Sequence, residues 1–306
     1  MSSLIEQAAR RLEQLKRAGA EIPAGLTANA LSSSTKKEAT PASLSAPVRT
    51  ESQVMNSRNV DIDLDALGAS GIVSPNSPRS AIADQFRVIK RPLLANAIGK
   101  GAALVRNGNL IMVTSALPGE GKSFTAINLA MSIATELDYT VMLVDADVAR
   151  PSVLSRLGLP PSPGLLDLVV DGSCDLSSVL LKTNIEKLTI LPSGTPHPRA
   201  TELLASDAMT RLVEDIGNRY SDRIIIFDSP PLLLTTESRV LATHMGQIVV
   251  VVKAETTLQS AVRSALDTIE ACPVRLMLLN QATTSFKAGY GYGYGYGYGY
   301  GQEVNQ

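Results

Sequence analysis

The stretch that most constrains this chain is Ser115-Ala116-Leu117-Pro118-Gly119-Glu120-Gly121-Lys122-Ser123. It follows the apolar run Leu110-Ile111-Met112-Val113, which reads as a buried strand. It precedes Phe124 to Glu136, a segment with helical periodicity and no Gly or Pro. A strand, a tight glycine-containing loop, Gly-Lys-Ser and then a helix is the layout of a phosphate-binding loop. A helix N-terminus leaves backbone N–H groups unpaired, and its dipole favours an anion there. Gly119 and Gly121 let the backbone approach a triphosphate closely. Lys122 reaches the outer phosphates, and the Ser123 hydroxyl suits Mg²⁺. The full pattern places Gly at both ends of the loop, whereas position 116 is Ala.

Downstream of the loop, apolar runs alternate with helical segments. Strands are expected at 110–115, 141–145, 188–191, 224–228, 248–252 and 276–279. Near-continuous apolar strands separated by helices predict an α/β fold of the P-loop NTPase type, a parallel sheet with helices on both faces. Ligands of such sheets bind at the carboxyl ends of the strands. The polar residues follow that rule. One strand leads into the phosphate loop, the next ends in Asp145-Ala146-Asp147, and another ends in Asp228-Ser229-Pro230-Pro231. A single Asp at a strand end often does no more than cap the next helix. Three carboxylates converging on one phosphate loop are what Mg²⁺ and an attacking hydroxyl require.

The flanks differ in composition. Residues 4–18 place Leu4, Ile5, Ala8, Leu12 and Leu15 on one helical face, so 1–19 reads as an amphipathic N-terminal helix, docking either on a partner or on its own domain. Residues 20–78 are rich in Ser, Thr, Ala and Pro and read as a flexible linker. Within it, Val60-Asp61-Ile62-Asp63-Leu64 alternates as a short edge strand would. The folded domain is expected over 79–288. Its first helix, from Ser80 to about Gly99, carries Asp84, Arg87 and Lys90 at intervals of three. Gly289 to Gly301 alternates Gly and Tyr, and six of the eight tyrosines of the chain lie there: Tyr290, Tyr292, Tyr294, Tyr296, Tyr298 and Tyr300. Such a tail, spanning 289–306, is expected to be disordered and exposed, offering its hydroxyls for modification.

Composition narrows the function further. The net charge of −1 gives no global case for nucleic-acid binding. The two cysteines, Cys174 and Cys272, lack metal-ligand spacing and read as reduced thiols. No run is long enough to span a bilayer, and the charged N-terminus lacks the apolar core of a signal peptide. A cytoplasmic protein without direct membrane insertion is expected.

The phosphate loop, the Asp-x-Asp and Asp-Ser-Pro-Pro strand ends and the tyrosine-rich tail together resemble the bacterial tyrosine kinase family, the autokinases of capsule and exopolysaccharide export. Ser2-Ser3-Leu4-Ile5-Glu6 and Phe86-Arg87-Val88-Ile89-Lys90-Arg91-Pro92-Leu93 resemble the exosortase-linked branch. The resemblance covers roughly residues 80–301. The first motif of that family corresponds to Ala116 through Ser123 and often lacks the first Gly. The second corresponds to Leu143-Val144-Asp145-Ala146-Asp147, although its arginine position holds Ala149 and Arg150 follows one residue later. The third corresponds to Ile225-Ile226-Phe227-Asp228. The oligomerisation motif, Glu-x-x-Arg-x-x-Arg, is similar to Asp84, Arg87 and Lys90.

The resemblance implies ATP and Mg²⁺. Pro118, Gly119, Glu120, Gly121, Lys122, Ser123 and Phe124 would hold the nucleotide, and fold position alone assigns Asn280 to the adenine. Ser123, Asp147 and Asp228 would serve the metal, Asp145 or Asp147 would take the tyrosine proton, with Asp145 the preferred base, and Lys122 would stabilise the moving phosphoryl group. It further implies a homo-oligomer, transfer in trans, and a membrane-embedded polysaccharide chain-length regulator as activator, holding the enzyme peripherally at the inner membrane. The competing readings are a regulatory ATPase of the partition or division type, whose loop carries a second lysine where this chain has Leu117, and a nucleotide-binding scaffold.

Overall fold

A computed structural model describes residues 57–75, 80–101, 104–219 and 223–282. The N-terminal helix and the tail expected above lie outside these residues. The centre is an eight-stranded sheet: β1 (Arg58–Val60), β2 (Leu110–Ser115), β3 (Thr140–Asp145), β4 (Leu181–Thr183), β5 (Leu188–Leu191), β6 (Arg223–Asp228), β7 (Gln247–Lys253) and β8 (Val274–Asn280). Their spatial order is β1-β4-β5-β3-β6-β2-β7-β8. Every pairing is parallel except β4–β5. All six expected strands are present, extended by up to three residues.

The sheet is buried on both faces because side chains alternate across it. Met112, Met142, Val144, Ile225, Phe227 and Val250 point to one face. That face is covered by α5 (Leu165–Val170), α7 (Ala200–Leu204), α8 (Asp207–Arg219), α9 (Glu237–Ala242) and α10 (Gln259–Asp267), which contribute Leu166, Leu204, Val213, Leu241 and Ala265. Ile111, Val113, Leu143, Ile226 and Val251 point to the other. There they meet α2 (Ala81–Ala97) and α3 (Lys122–Ala134) through Phe86, Leu93, Ile127 and Met131. The short helices α4 (Val153–Arg156) and α6 (Leu176–Val179) lie in the loops after β3 and before β4.

Two expectations need correction. The linker expected over 20–78 is shorter, for residues 57–75 belong to the folded unit. β1 pairs with β4 at the sheet edge, and Ile62, Leu67, Ile72 and Val73 are buried against the α2–α3 face. Asp63 caps α1 (Leu64–Ala69) by accepting from the N–H groups of Asp65 and Ala66, both at 3.0 Å. Asn184 holds the Ile62 backbone through two 3.0 Å bonds, and Asn128 accepts from the Val73 N–H at 2.7 Å. Leu67, Ile72 and Val73 lie among Ser, Asp, Ala and Gly without a helical or strand period, while Ile62 belongs to the alternating stretch 60–64, of which only Val60 lies in β1.

The second correction concerns Lys90. Asp84 and Arg87 are exposed on α2 and pair at 2.5 Å. Lys90 is 3% exposed; its Nζ meets Glu136 Oε1 at 2.7 Å and donates to the Ser132 carbonyl. It therefore joins α2 to the end of α3 within one chain and offers nothing to a neighbouring subunit. In a helix each third residue lags by about 60°, so the sixth lags by about 120° and leaves the face of the first.

Candidate active site

The strand order makes β3, β6 and β2 neighbours, so their carboxyl ends converge without any long-range bending of the chain. In the β3–β6 ladder Asp145 is register-matched to Asp228, and Ala146 N–H donates to the Asp228 carbonyl at 2.8 Å. In the β6–β2 ladder Asp228 lies opposite Val113, two residues before the loop begins at Ser115.

The phosphate loop is held from inside the fold. Ala116 is fully buried with an ordinary negative φ, so the methyl that replaces the first glycine introduces no strain. Gly119 and Gly121 have φ of +80° and +96°, where a side chain is disfavoured. A Cβ on Gly119 would meet nothing within 4 Å, which leaves that side of the loop open to a ligand. A Cβ on Gly121 would lie 2.1 Å from the Asn280 amide nitrogen. The Glu120 carboxylate is buried and turned inward, accepting from the Leu117 N–H at 2.7 Å and from the Thr257 hydroxyl. Asn280, at the end of β8, donates to the Glu120 carbonyl at 2.9 Å.

Gly121 caps α3, whose first turn is Lys122, Ser123 and Phe124. Their N–H groups have no carbonyl one turn back and converge toward the loop. The Phe124 ring points elsewhere, toward Gly71 and a groove beside β8, so Phe124 offers the loop only its backbone.

The three carboxylates have distinct surroundings. Asp147 Oδ2 pairs with Lys122 Nζ at 2.7 Å, and Oδ1 accepts from the Arg150 N–H at 3.1 Å. Asp145 Oδ2 accepts from the N–H groups of Ser152 and Val153, both at 3.0 Å, at the start of α4. Its Oδ1 is buried without a partner. Burial pushes its carboxyl up to about 6, opposed by those two N–H groups. Asp228 is fully buried, and neither of its oxygens has a hydrogen-bond partner. Burial pushes its carboxyl up to about 7, opposed by the Lys122 ammonium and by the Ser123 hydroxyl, which faces it without closing a bond.

Three orphaned carboxylate oxygens beside the half-buried Lys122 form a site built for cationic and phosphate ligands. Among the described residues no three acidic, His or Cys side chains cluster tightly enough to hold a metal alone. That suits Mg²⁺, which takes one or two carboxylates and completes its shell with phosphate oxygens and water.

The structure thus gathers Lys122, Ser123, Asp145, Asp147 and Asp228 at one point and sets Glu120, Gly121 and Asn280 behind the loop. Thr257 was missed, because nothing in the β7–α10 connection marks a hydroxyl as a loop anchor. A cavity of about 650 Å³ lies between α2 and β8 and not over the carboxylates.

The family model described as an AAA domain matches residues 108–280, more than half of the chain. The tyrosine-protein kinase YwqD of Bacillus subtilis is 30% identical over 206 residues, 67% of this chain and 83% of its own length. The chain belongs to the bacterial tyrosine kinase family. Two crystal structures agree. The chimerical protein CapA2B2 aligns with a TM-score of 0.57 at 27% identity over 72% of this kinase and 93% of that chain. The VpsO kinase domain aligns at 0.52 and 27% identity, over 67% and 100% respectively. The segment matched by the family model runs from just before β2 to the last residue of β8, and so contains every residue of the site.

Proposed function

We propose that this kinase transfers the γ-phosphoryl group of ATP to the tyrosines of its own C-terminal cluster. The observation that carries the reading is the Lys122–Asp147 pair at 2.7 Å beside the register-matched Asp145 and Asp228. Three negative groups and one cation are arranged there around a loop with an open phosphate side.

In this reading the N–H groups of Gly119 through Phe124 bind the phosphates, and Lys122 turns from Asp147 to the γ-phosphate. Ser123 and Asp228 would hold Mg²⁺, with Asp147 beside them. The metal supplies positive charge to the donor phosphates. A tyrosine Oη attacks the γ-phosphorus, the bond to the β-phosphate oxygen breaks, and ADP leaves. The phenolic proton passes to the free Oδ1 of Asp145. A carboxylate with a pKa near 6 accepts that proton better than an ordinary one, since free tyrosine titrates near 10. Lys122 stabilises the charge spread over the transferring group. Asn280 spends its amide N–H on the Glu120 carbonyl, which leaves its oxygen for the adenine.

The acceptors are Tyr290, Tyr292, Tyr294, Tyr296, Tyr298 and Tyr300, reached in trans within a homo-oligomer to which the exposed Asp84 and Arg87 contribute. The cellular role is control of exopolysaccharide or capsule polymerisation and export, with a membrane-embedded chain-length regulator as activator. No helix among the described residues is long and apolar enough to cross a membrane. In this reading the enzyme works in the cytoplasm, drawn to the inner membrane by that partner. Mixing full-length Lys122→Met chain with active chain ending at Ala288 tests the reading. Phosphotyrosine appears on the Lys122→Met chain if transfer is in trans, and on neither chain if the protein is a scaffold.

A further inference from the structure

β8 is an open edge. Among the described residues it pairs only with β7, in an unbroken parallel ladder from Val274 to Asn280. Natural edges are blunted by Pro, bulges or repeated charge. This one carries a single charge, Arg275, and no Pro or Gly. Met277 and Leu279 are 65% and 64% exposed. A groove of about 650 Å³ runs along its α2 side, walled by Ile82, Phe86, Ile89, Phe124, Leu276 and Leu278. A second, of about 520 Å³, runs along its α10 side and includes the charged Lys253, Glu255 and Arg263. An unpaired backbone flanked by apolar troughs accepts an extended segment.

We propose that the occupant is the Gly-Tyr repeat of the same chain, residues 289–301, added to β8 as an antiparallel strand. Three features single it out. Its period of two is that of a strand, so all six tyrosines fall on one face and the glycines on the other. It is tethered to the end of β8, and the nine residues 281–289 are more than a hairpin return needs. A parallel strand would need a crossover of a dozen residues or more, so the return is antiparallel. The tyrosines enter the more apolar trough beside α2, which Phe86 and Phe124 line. The glycines pass over Met277 and Leu279 on the charged side. Because the repeat is identical every two residues, its register can slide in steps of two without changing a contact. About three or four rings are seated at once along seven residues of β8, and the others wait outside.

This resting place goes beyond the transfer reaction. Its consequence, that a docked tyrosine must leave the edge to be phosphorylated and that a phosphate keeps it out of an apolar trough, rests on the tail being the acceptor. The docking itself does not.

Amide hydrogen exchange on the full chain without nucleotide tests the docking alone. Residues 289–301 should exchange at least 10-fold more slowly than a free peptide of that sequence, at any protein concentration. Replacing all six tyrosines by Ser, a change confined to the tail, should abolish the protection. Val88→Glu, at an exposed position on the groove wall, should also abolish it while ATP affinity stays unchanged. Exchange at the free-peptide rate overturns the proposal. So does protection that survives both variants, which places the tail elsewhere, or protection that rises with concentration, which places it on a second copy.

Discussion

Asp145 and Asp228 stand side by side across the β3–β6 ladder, both buried, with burial raising the pKa of each. Two carboxylates held this way repel each other once both are ionised, and only a cationic ligand relieves them. The sign of the pH dependence follows. Between the ordinary carboxylate value and about 7 the native state binds more protons than the unfolded chain, so stability of the nucleotide-free protein falls as pH rises through that window. Asp228→Asn should flatten this fall and stabilise the free protein at pH 8 by roughly 2–4 kcal/mol, while abolishing transfer. Urea denaturation of both proteins at pH 5 and pH 8 checks it; equal pH slopes contradict it.

Lys122 plays two parts. Lys122→Met should lower the transfer rate by roughly 10²-fold or more, through lost charge stabilisation. It should also destabilise the protein by about 1–3 kcal/mol, because Asp147 keeps only the Arg150 N–H. Adding Asp147→Asn should recover much of the stability and none of the activity. A double-mutant cycle on stability, set beside phosphotyrosine yield, separates the two.

The two loop glycines should respond differently to alanine. At Gly121 both a φ of +96° and the Asn280 amide stand in the way, whereas at Gly119 only the φ of +80° does. Gly121→Ala should cost about 2–3 kcal/mol and pull Asn280 off the loop; Gly119→Ala should cost about 1 kcal/mol and act mainly on ATP binding. Thermal melts with and without Mg·ATP distinguish the two.

Lys90 and Arg87 also separate. Lys90→Ala leaves Glu136 80% or so buried with only the exposed Arg91 to meet it, and should destabilise the monomer by roughly 3 kcal/mol. Arg87→Ala, in an exposed i,i+3 pair, should change stability by less than about 0.5 kcal/mol and shift the oligomer toward smaller species. Light scattering and denaturation of each variant test this; an unchanged oligomer in Arg87→Ala removes Arg87 from the interface.

Six strands were visible because a sheet covered on both faces demands long apolar runs. β4 was not, since three residues carry no period, and the edge strand suggested at 60–64 lies two residues earlier, at Arg58–Val60. Strand ends and the phosphate loop marked Lys122, Asp145, Asp147 and Asp228 because parallel sheets gather ligands at carboxyl ends. The different duties of those carboxylates were hidden, for they depend on which N–H groups of α4 reach Asp145 and which oxygen meets Lys122. The inward turn of Glu120 to Thr257 joins positions 137 residues apart. Lys90 looked like part of a surface row because intervals of three resemble a helical face over one step and diverge over two.

The most direct test of autokinase activity is the intact mass of the purified protein after incubation with Mg·ATP, for the full chain and for a chain ending at Ala288. Gains in whole phosphate steps, present in the full chain and absent from the shortened one, are the predicted result. Equal gains in both chains would contradict the tail as acceptor, and no gain in either, with a candidate activator's cytosolic segment present, would contradict self-phosphorylation.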